Sequence, residues 1–151
     1  MLNIGIIGCG HWSKKVLSEI EVNKNYHLTS IVCRGNSFQE KNYKNKIHTY
    51  KSMESLFNAN INDCIYVAGT PDINLNATKL AKKNKVALIL EKPLSNNYNH
   101  AQEIEYIAKK NKMLILPNLS NFFSDSFIYV KNFIDENFHQ IQNIIIYEGG
   151  N

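Results

Sequence analysis

Short apolar runs alternate with longer amphipathic runs along the 151-residue chain. A short, unbroken apolar run predicts a buried strand, and apolar positions that recur every three or four residues predict a helix. The pattern predicts strands over residues 2–7, 27–33, 64–68, 85–91, 113–116 and 142–147, and a short strand near His48. It predicts helices over residues 12–22, 52–58, 73–84, 98–111 and 124–137.

This alternation of strands and helices determines the expected fold class. Strands joined through helices form a parallel sheet by right-handed crossovers, with helices on both faces. We therefore predict an α/β fold with a Rossmann-type, doubly wound parallel sheet. Such sheets bind ligands at the carboxyl ends of their strands, where the strand order reverses.

A glycine turn, GCGHWS over residues 8–13, follows the first predicted strand. In a dinucleotide-binding turn the first glycine permits the bend and the second lets the backbone approach the pyrophosphate. The third position needs a small residue, because the helix packs closely on the strand there. Gly8, Gly10 and Ser13 occupy these positions, and the first amides of the following helix would face the phosphate charge. A plain strand-to-helix turn is the alternative, and the surrounding βαβ pattern favours the nucleotide.

The residues after the second predicted strand bear on which nucleotide would bind. NAD-binding chains usually place a carboxylate there to hold the ribose 2′-hydroxyl. Here Cys33 occupies that position and Arg34 follows, so a guanidinium would be available for a 2′-phosphate. Ser37 or Asn36 would add a hydrogen bond. We therefore predict NADP(H) in preference to NAD(H), with an ordinary surface arginine as the alternative.

A second motif, Glu91-Lys92-Pro93, ends the predicted strand over residues 85–91. At the ligand-binding edge of the sheet, a lysine would donate to a substrate hydroxyl or carbonyl oxygen, and Pro93 would stiffen the turn. The sequence leaves open whether the Lys92–Pro93 bond is cis. Taken alone, these three residues are more typical of a surface turn.

Four stretches in this order carry a family resemblance: IGIIGCGHWS, DCIYVAGTPDINLN, NKVALILEKPLS, and the segment from MLILPNLSNFF to IIIYEGG. The chain resembles the N-terminal half of the glucose–fructose oxidoreductase, inositol dehydrogenase and rhizopine-catabolism oxidoreductase family, the Gfo/Idh/MocA family. The resemblance covers essentially the whole chain, and the order and spacing of the pieces make it specific.

The resemblance implies an NAD(P)-dependent oxidoreductase that moves hydride between nicotinamide and a hydroxyl or keto carbon. The substrate would be a sugar, a nucleotide sugar or a cyclitol. Residues 1–121 would form the NAD(P)-binding Rossmann domain. Residues 122–151 would hold the crossover helix and first strand of an α+β substrate domain that is otherwise missing, so this chain alone would be inactive.

The resemblance also implies roles for individual residues. The turn at residues 8–12 would line the pyrophosphate, residues 33–34 the adenosine ribose, residues 70–71 the nicotinamide, and Glu91 the nicotinamide ribose. Lys92 would be the catalytic residue at the reacting oxygen. With the residues singled out above, the expected cofactor-binding set is Gly8, Gly10, His11, Trp12, Cys33, Arg34, Ser37, Thr70, Pro71, Glu91 and Pro93.

The chain also departs from the family pattern. Leu75 stands where the family has a histidine, and Asn121-Phe122-Phe123 replaces an Arg–Arg–Phe run. The family's catalytic histidine, with a nearby aspartate, belongs to the second domain. No complete acid–base pair can therefore be assigned in this chain.

Composition narrows the function classes. The net charge is +4 with scattered lysines, which argues against a nucleic-acid partner. No apolar run is long enough to span a membrane, and the five histidines lack the spacing of metal ligands. Cys9, Cys33 and Cys64 are odd in number and far apart, so we expect neither a disulfide framework nor a zinc site. A reducing compartment, the cytoplasm, is the expected location.

Two other readings of the chain remain open. In one, the chain is a free-standing module that binds a nucleotide without turnover. In the other, it is a degenerate domain that serves as an interaction partner. The predicted last strand would be an exposed apolar edge, which favours self-association. A homo-oligomer is therefore expected, together with a small sugar-type substrate.

Overall fold

The computed structural model describes residues 1–33 and 47–145. The strands in this part of the chain are β1 (Leu2–Ile7), β2 (Tyr26–Val32), β3 (His48–Tyr50), β4 (Cys64–Val67), β5 (Ala87–Glu91) and β6 (Ile115–Asn118). The α-helices are α1 (His11–Val22), α2 (Met53–Asn58), α3 (Asn74–Asn84), α4 (Tyr98–Asn111) and α5 (Asp125–Asn137).

The strands form one parallel sheet in the order β3-β2-β1-β4-β5-β6. This order confirms the predicted doubly wound α/β fold, because the chain runs outward in one direction from β1 to β3 and in the other from β4 to β6. The direction changes between β1 and β4, which is where such sheets bind ligands.

Apolar residues on both faces of the sheet form the core. On one face, Leu56 and Phe57 of α2 pack with residues of α3, α4 and the strands. On the other face, Leu17 and Ile20 of α1 pack against β1, β2 and Tyr66 of β4. Helices therefore cover both faces, as a parallel sheet requires.

Several predicted elements begin one or two residues later than expected, including β5, which begins at Ala87 and not at residue 85. The predicted strand over residues 113–116 is instead β6, Ile115–Asn118. Lys112 has a left-handed conformation that ends α4, and the amide of Met113 donates to Ala108, so residue 113 still belongs to the helix cap. The predicted helix over residues 73–84 is α3, preceded by a 3₁₀ turn at Pro71–Ile73.

The predicted strand over residues 142–147 is not supported. Residues 142–145 are not in a strand, and residues 146–147 lie outside the described part of the chain. A strand is stabilised by hydrogen bonds to a neighbouring strand, and among the described residues nothing pairs with this segment. The apolar pattern alone was therefore not sufficient to predict a strand here.

The chain divides into two compact units, Met1–Asn118 and Leu119–Asn151. The first contains the whole sheet and α1 to α4. In the second, α5 has no buried residues. Across the described residues, no helix is both long and apolar enough to cross a membrane.

The start of α2 gives a stability prediction. The side chain of Ser52 accepts from the amide of Ser55 at 3.2 Å, and the side chain of Ser55 accepts from the amide of Ser52 at 3.3 Å, so the two serines form a capping box. We expect Ser52→Ala to lower the free energy of unfolding by about 1 kcal/mol. Urea unfolding measures it, with the exposed Ser18→Ala in α1 as the control, and equal stability of the two variants would contradict the prediction.

Candidate functional site

The glycine turn after β1 requires a glycine at its first position. Gly8 has φ +108°, and its amide donates to the carbonyl of Val32 at 2.9 Å. A Cβ on Gly8 would lie 2.7 Å from the carbonyl oxygen of Ala68, which follows β4. The turn is therefore held between the ends of β2 and β4, at the reversal of strand order.

Gly10 is placed differently. Its φ is −76°, and a Cβ built on it would meet no atom of the described residues within 4 Å. In the part of the chain that the structure describes, no side chain caps the start of α1, and the first turn of this helix contains no acidic residue. Open space next to uncapped helix amides fits an anionic group such as a pyrophosphate.

The first residues of α1 separate into exposed and buried positions. His11 and Trp12 are exposed beside the turn, with the Lys15 ammonium nitrogen 4.6 Å from the centre of the Trp12 ring. Ser13 is fully buried, and its Oγ would lie 3.5 Å from a Cβ on Gly8. A small side chain is therefore needed where the helix packs on the turn.

Cys9 and Cys33 form a disulfide, with their Cα atoms 5.5 Å apart. The expectation of no disulfide was therefore wrong. The cysteines are 24 residues apart in sequence, but Ile7 of β1 pairs with Val32 of β2, so the residues that follow these strands are neighbours. The bond joins the glycine turn to the end of β2 and removes the cysteine-based argument for a reducing compartment.

The second motif lies on the same edge of the sheet as the glycine turn, because all the paired strands are parallel. Thr70 and Pro71 follow β4, and Lys92 and Pro93 follow β5, with the Lys92 side chain exposed. The Lys92–Pro93 peptide bond, which the sequence left open, is cis. The two loops thus share one edge.

Glu91 is buried at the end of β5 and is surrounded by hydrogen-bond donors. Its Oε1 accepts from the Tyr66 hydroxyl. The same oxygen accepts from Nδ2 of Asn118, at a distance of 2.5 Å, and Oε2 accepts from the amide of Lys92 at 3.2 Å. Burial is the main reason that the pKa of Tyr66 is raised above its usual value. The hydrogen bond to Glu91 and the negative charge of Glu91 raise it further, so the Tyr66 hydroxyl remains a donor.

Asn74, the first residue of α3, supports the same turn. Its side-chain amide donates to the carbonyl oxygen of Leu94 at 3.0 Å and, at 3.4 Å, to that of Glu91. These contacts bracket Lys92 and Pro93. Neither sequence motif includes Tyr66, Asn74 or Asn118. The signals in the sequence were a tyrosine inside an aliphatic strand and an asparagine shortly after Thr70 and Pro71.

A family model described as "Oxidoreductase family, NAD-binding Rossmann fold", for the Gfo/Idh/MocA proteins, matches residues 2–119. This chain belongs to that family. The match includes both loops of the candidate site, and it confirms the resemblance drawn from the sequence.

Among curated proteins, the uncharacterized oxidoreductase YgjR of Escherichia coli (strain K12) is 22% identical over 118 residues, which are 76% of this chain and 36% of YgjR. Scyllo-inositol dehydrogenase from Lactobacillus casei, solved with NAD(H) and scyllo-inositol, is similar in structure with a TM-score of 0.83 and 14% identity, over 91% of this chain and 42% of that chain. Biliverdin reductase from Synechocystis sp. PCC 6803, solved with biliverdin and NADP+, gives a TM-score of 0.75 and 17% identity, over 94% of this chain and 44% of that chain. At these identities the structural likeness shows the fold. The chain spans about a third of the length of YgjR and about two fifths of the solved structures.

The residues that depart from the Gfo/Idh/MocA pattern lie in both units of the chain. Leu75, at the position of the family's histidine, is partly buried and packs against the core. Asn121, Phe122 and Phe123 lie in a 3₁₀ turn of the second unit. Arg34, Asn36 and Ser37 lie outside the described residues. Among the residues that are described, no group of three or more potential metal ligands lies together.

Proposed function

We propose that this chain is the cofactor-binding part of an NAD(P)-dependent oxidoreductase. The reaction would move hydride between nicotinamide and a hydroxyl-bearing or keto carbon of a sugar, nucleotide sugar or cyclitol. The observation that carries the proposal is the open space at Gly10 beside the uncapped start of α1, on the same sheet edge as Lys92. Family membership and the inositol dehydrogenase neighbour support the choice of chemistry.

The proposal gives each loop a role. The turn over residues 8–12 would bind the pyrophosphate, through amides at a helix start that attract anions. Thr70 and Pro71 would contact the nicotinamide, and Glu91 its ribose. The cofactor, when bound, supplies or accepts the hydride. Lys92 would hold the reacting oxygen by donating a hydrogen bond or a proton to it.

Within this proposal NADP(H) is the preferred cofactor. Cys33 stands at the usual position of the acidic residue and is bonded to Cys9, so no carboxylate repels a 2′-phosphate there. Arg34 would supply the positive charge, and Ser37 a hydrogen bond. NAD(H) is the second candidate, since one neighbour was solved with NAD(H) and another with NADP+.

The substrate pocket is proposed to need a second domain. We assign residues 1–121 to the cofactor domain and residues 122–151 to the start of the substrate domain. Large apolar side chains of α5 are exposed, including Tyr129 and Phe133, and they would pack against the rest of that domain or a second copy of the chain. We further propose a homo-oligomer in the cytoplasm, where thiol reductants would make the Cys9–Cys33 bond reversible.

A cofactor titration of wild type and Gly10→Val tests the proposal. The variant should fold normally, because the backbone angle at residue 10 is permissive and its Cβ would meet no described neighbour. Its side chain would occupy the proposed pyrophosphate space, so we expect at least about tenfold weaker binding of NADPH and NADH. Nicotinamide fluorescence measures affinity, and circular dichroism checks the fold.

Four outcomes test the proposal and separate the candidate functions. Tighter binding of NADH than of NADPH by the wild type would contradict the cofactor preference. Absence of binding to either cofactor would favour a degenerate interaction domain. Equal affinity of wild type and Gly10→Val would mean that the pyrophosphate does not lie at this turn. Binding without turnover, even with the complete substrate domain present, would favour a free-standing nucleotide-binding module.

A further inference from the structure

We propose that Tyr66 and Asn118 are positioning residues that orient the Glu91 carboxylate toward the nicotinamide ribose. The inference rests on the function proposed above and extends it, because neither residue belongs to the two sequence motifs. Both would act through Glu91 and neither would contact the cofactor.

The sheet brings these three side chains together. In the parallel register, Tyr66 of β4 pairs with Ile89 of β5, and Glu91 of β5 pairs with Asn118 of β6. Side chains alternate between the faces of a strand, so Ile89 and Glu91 share a face. Tyr66, Glu91 and Asn118 therefore lie on one face, and the two neighbouring strands each supply a donor to the carboxylate between them.

The hydrogen bonds leave one oxygen of Glu91 only partly used. A carboxylate oxygen accepts about two hydrogen bonds. Oε1 already accepts from both Tyr66 and Asn118, whereas within residues 1–33 and 47–145 the amide of Lys92 is the one donor to Oε2. Oε2 is thus the atom with remaining acceptor capacity, and a ribose hydroxyl is a donor of the right type.

Burial makes this orientation significant. Glu91 is 8% exposed, and a carboxyl group so placed requires hydrogen-bond partners. Tyr66 is 2% exposed, among aliphatic neighbours, with its hydroxyl directed to Glu91. Without these two donors, the Glu91 side chain would be free to take another rotamer, and the Lys92 amide would lose its acceptor.

The test uses the full chain and two probes. One is NADPH or NADH, whichever the wild type binds more tightly, and the other is ADP, which lacks nicotinamide and its ribose. We expect Tyr66→Phe and Asn118→Ala each to weaken dinucleotide binding about tenfold, with ADP affinity within about twofold of wild type. Tyr106→Phe is the matched control, since Tyr106 is exposed on α4 and bonds to Lys110; both its affinities should equal those of the wild type.

The probe pair distinguishes positioning from general destabilisation. If a variant bound ADP and the dinucleotide more weakly by the same factor, the positioning role would be overturned. It would also be overturned if both variants bound both probes with wild-type affinity. If Tyr66→Phe fails to fold, the partly exposed Asn118→Ala decides the question alone. If the wild type binds neither probe, the proposed function fails and this assignment fails with it.

Discussion

Gly8→Ala is expected to lower the free energy of unfolding by about 3 kcal/mol and to remove detectable cofactor binding. Two effects add. At φ +108° a residue with a Cβ is strained, which costs about 1–3 kcal/mol. The new methyl group would also lie 2.7 Å from the Ala68 carbonyl oxygen, so the ends of β1 and β4 would have to separate.

Urea unfolding and NADPH titration together measure this prediction. Gly10→Ala is the matched control, because φ at this position is −76° and the new Cβ would meet no atom in residues 1–33 and 47–145. The control should retain wild-type stability, within about 0.5 kcal/mol. Equal stability of the two alanine variants would show that the turn does not have the backbone conformation described above.

Cys33→Ser is expected to lower the free energy of unfolding by about 3 kcal/mol relative to the disulfide-bonded wild type, both measured without reductant. The Cys9–Cys33 bond links residues 24 positions apart, and a closed loop of this length reduces the conformational freedom of the unfolded chain. Dithiothreitol should destabilise the wild type by a similar amount and leave the variant unchanged.

Alkylation of the folded protein provides an independent measurement. Cys64 is buried in β4, and burial, with a smaller contribution from the nearby Asp63, raises the pKa of its thiol to about 11. Iodoacetamide should therefore label no thiol before reduction and two after it, as counted by mass spectrometry. Labelling of Cys9 and Cys33 without prior reduction would contradict the disulfide.

Sequence patterns alone predicted the order of β1 to β6 and α1 to α5, the parallel α/β class, and both loops of the candidate site. These features are encoded locally. The apolar run over residues 2–7 specifies a buried strand, and Gly8 permits a conformation that other residues avoid. The motif ending in Pro93 and the family resemblance then placed both loops on one edge of the sheet, as the parallel strands confirm.

The contacts between residues far apart in the sequence depend on the register of the strands in the folded sheet. The register between β1 and β2 brings Cys9 to Cys33, and that between β4, β5 and β6 brings Tyr66 and Asn118 to Glu91. Periodicity assigns a residue to a strand and a face but not to a partner on the neighbouring strand. For the same reason an apolar pattern over residues 142–147 predicted a strand, although a strand also needs a neighbour with which to form hydrogen bonds.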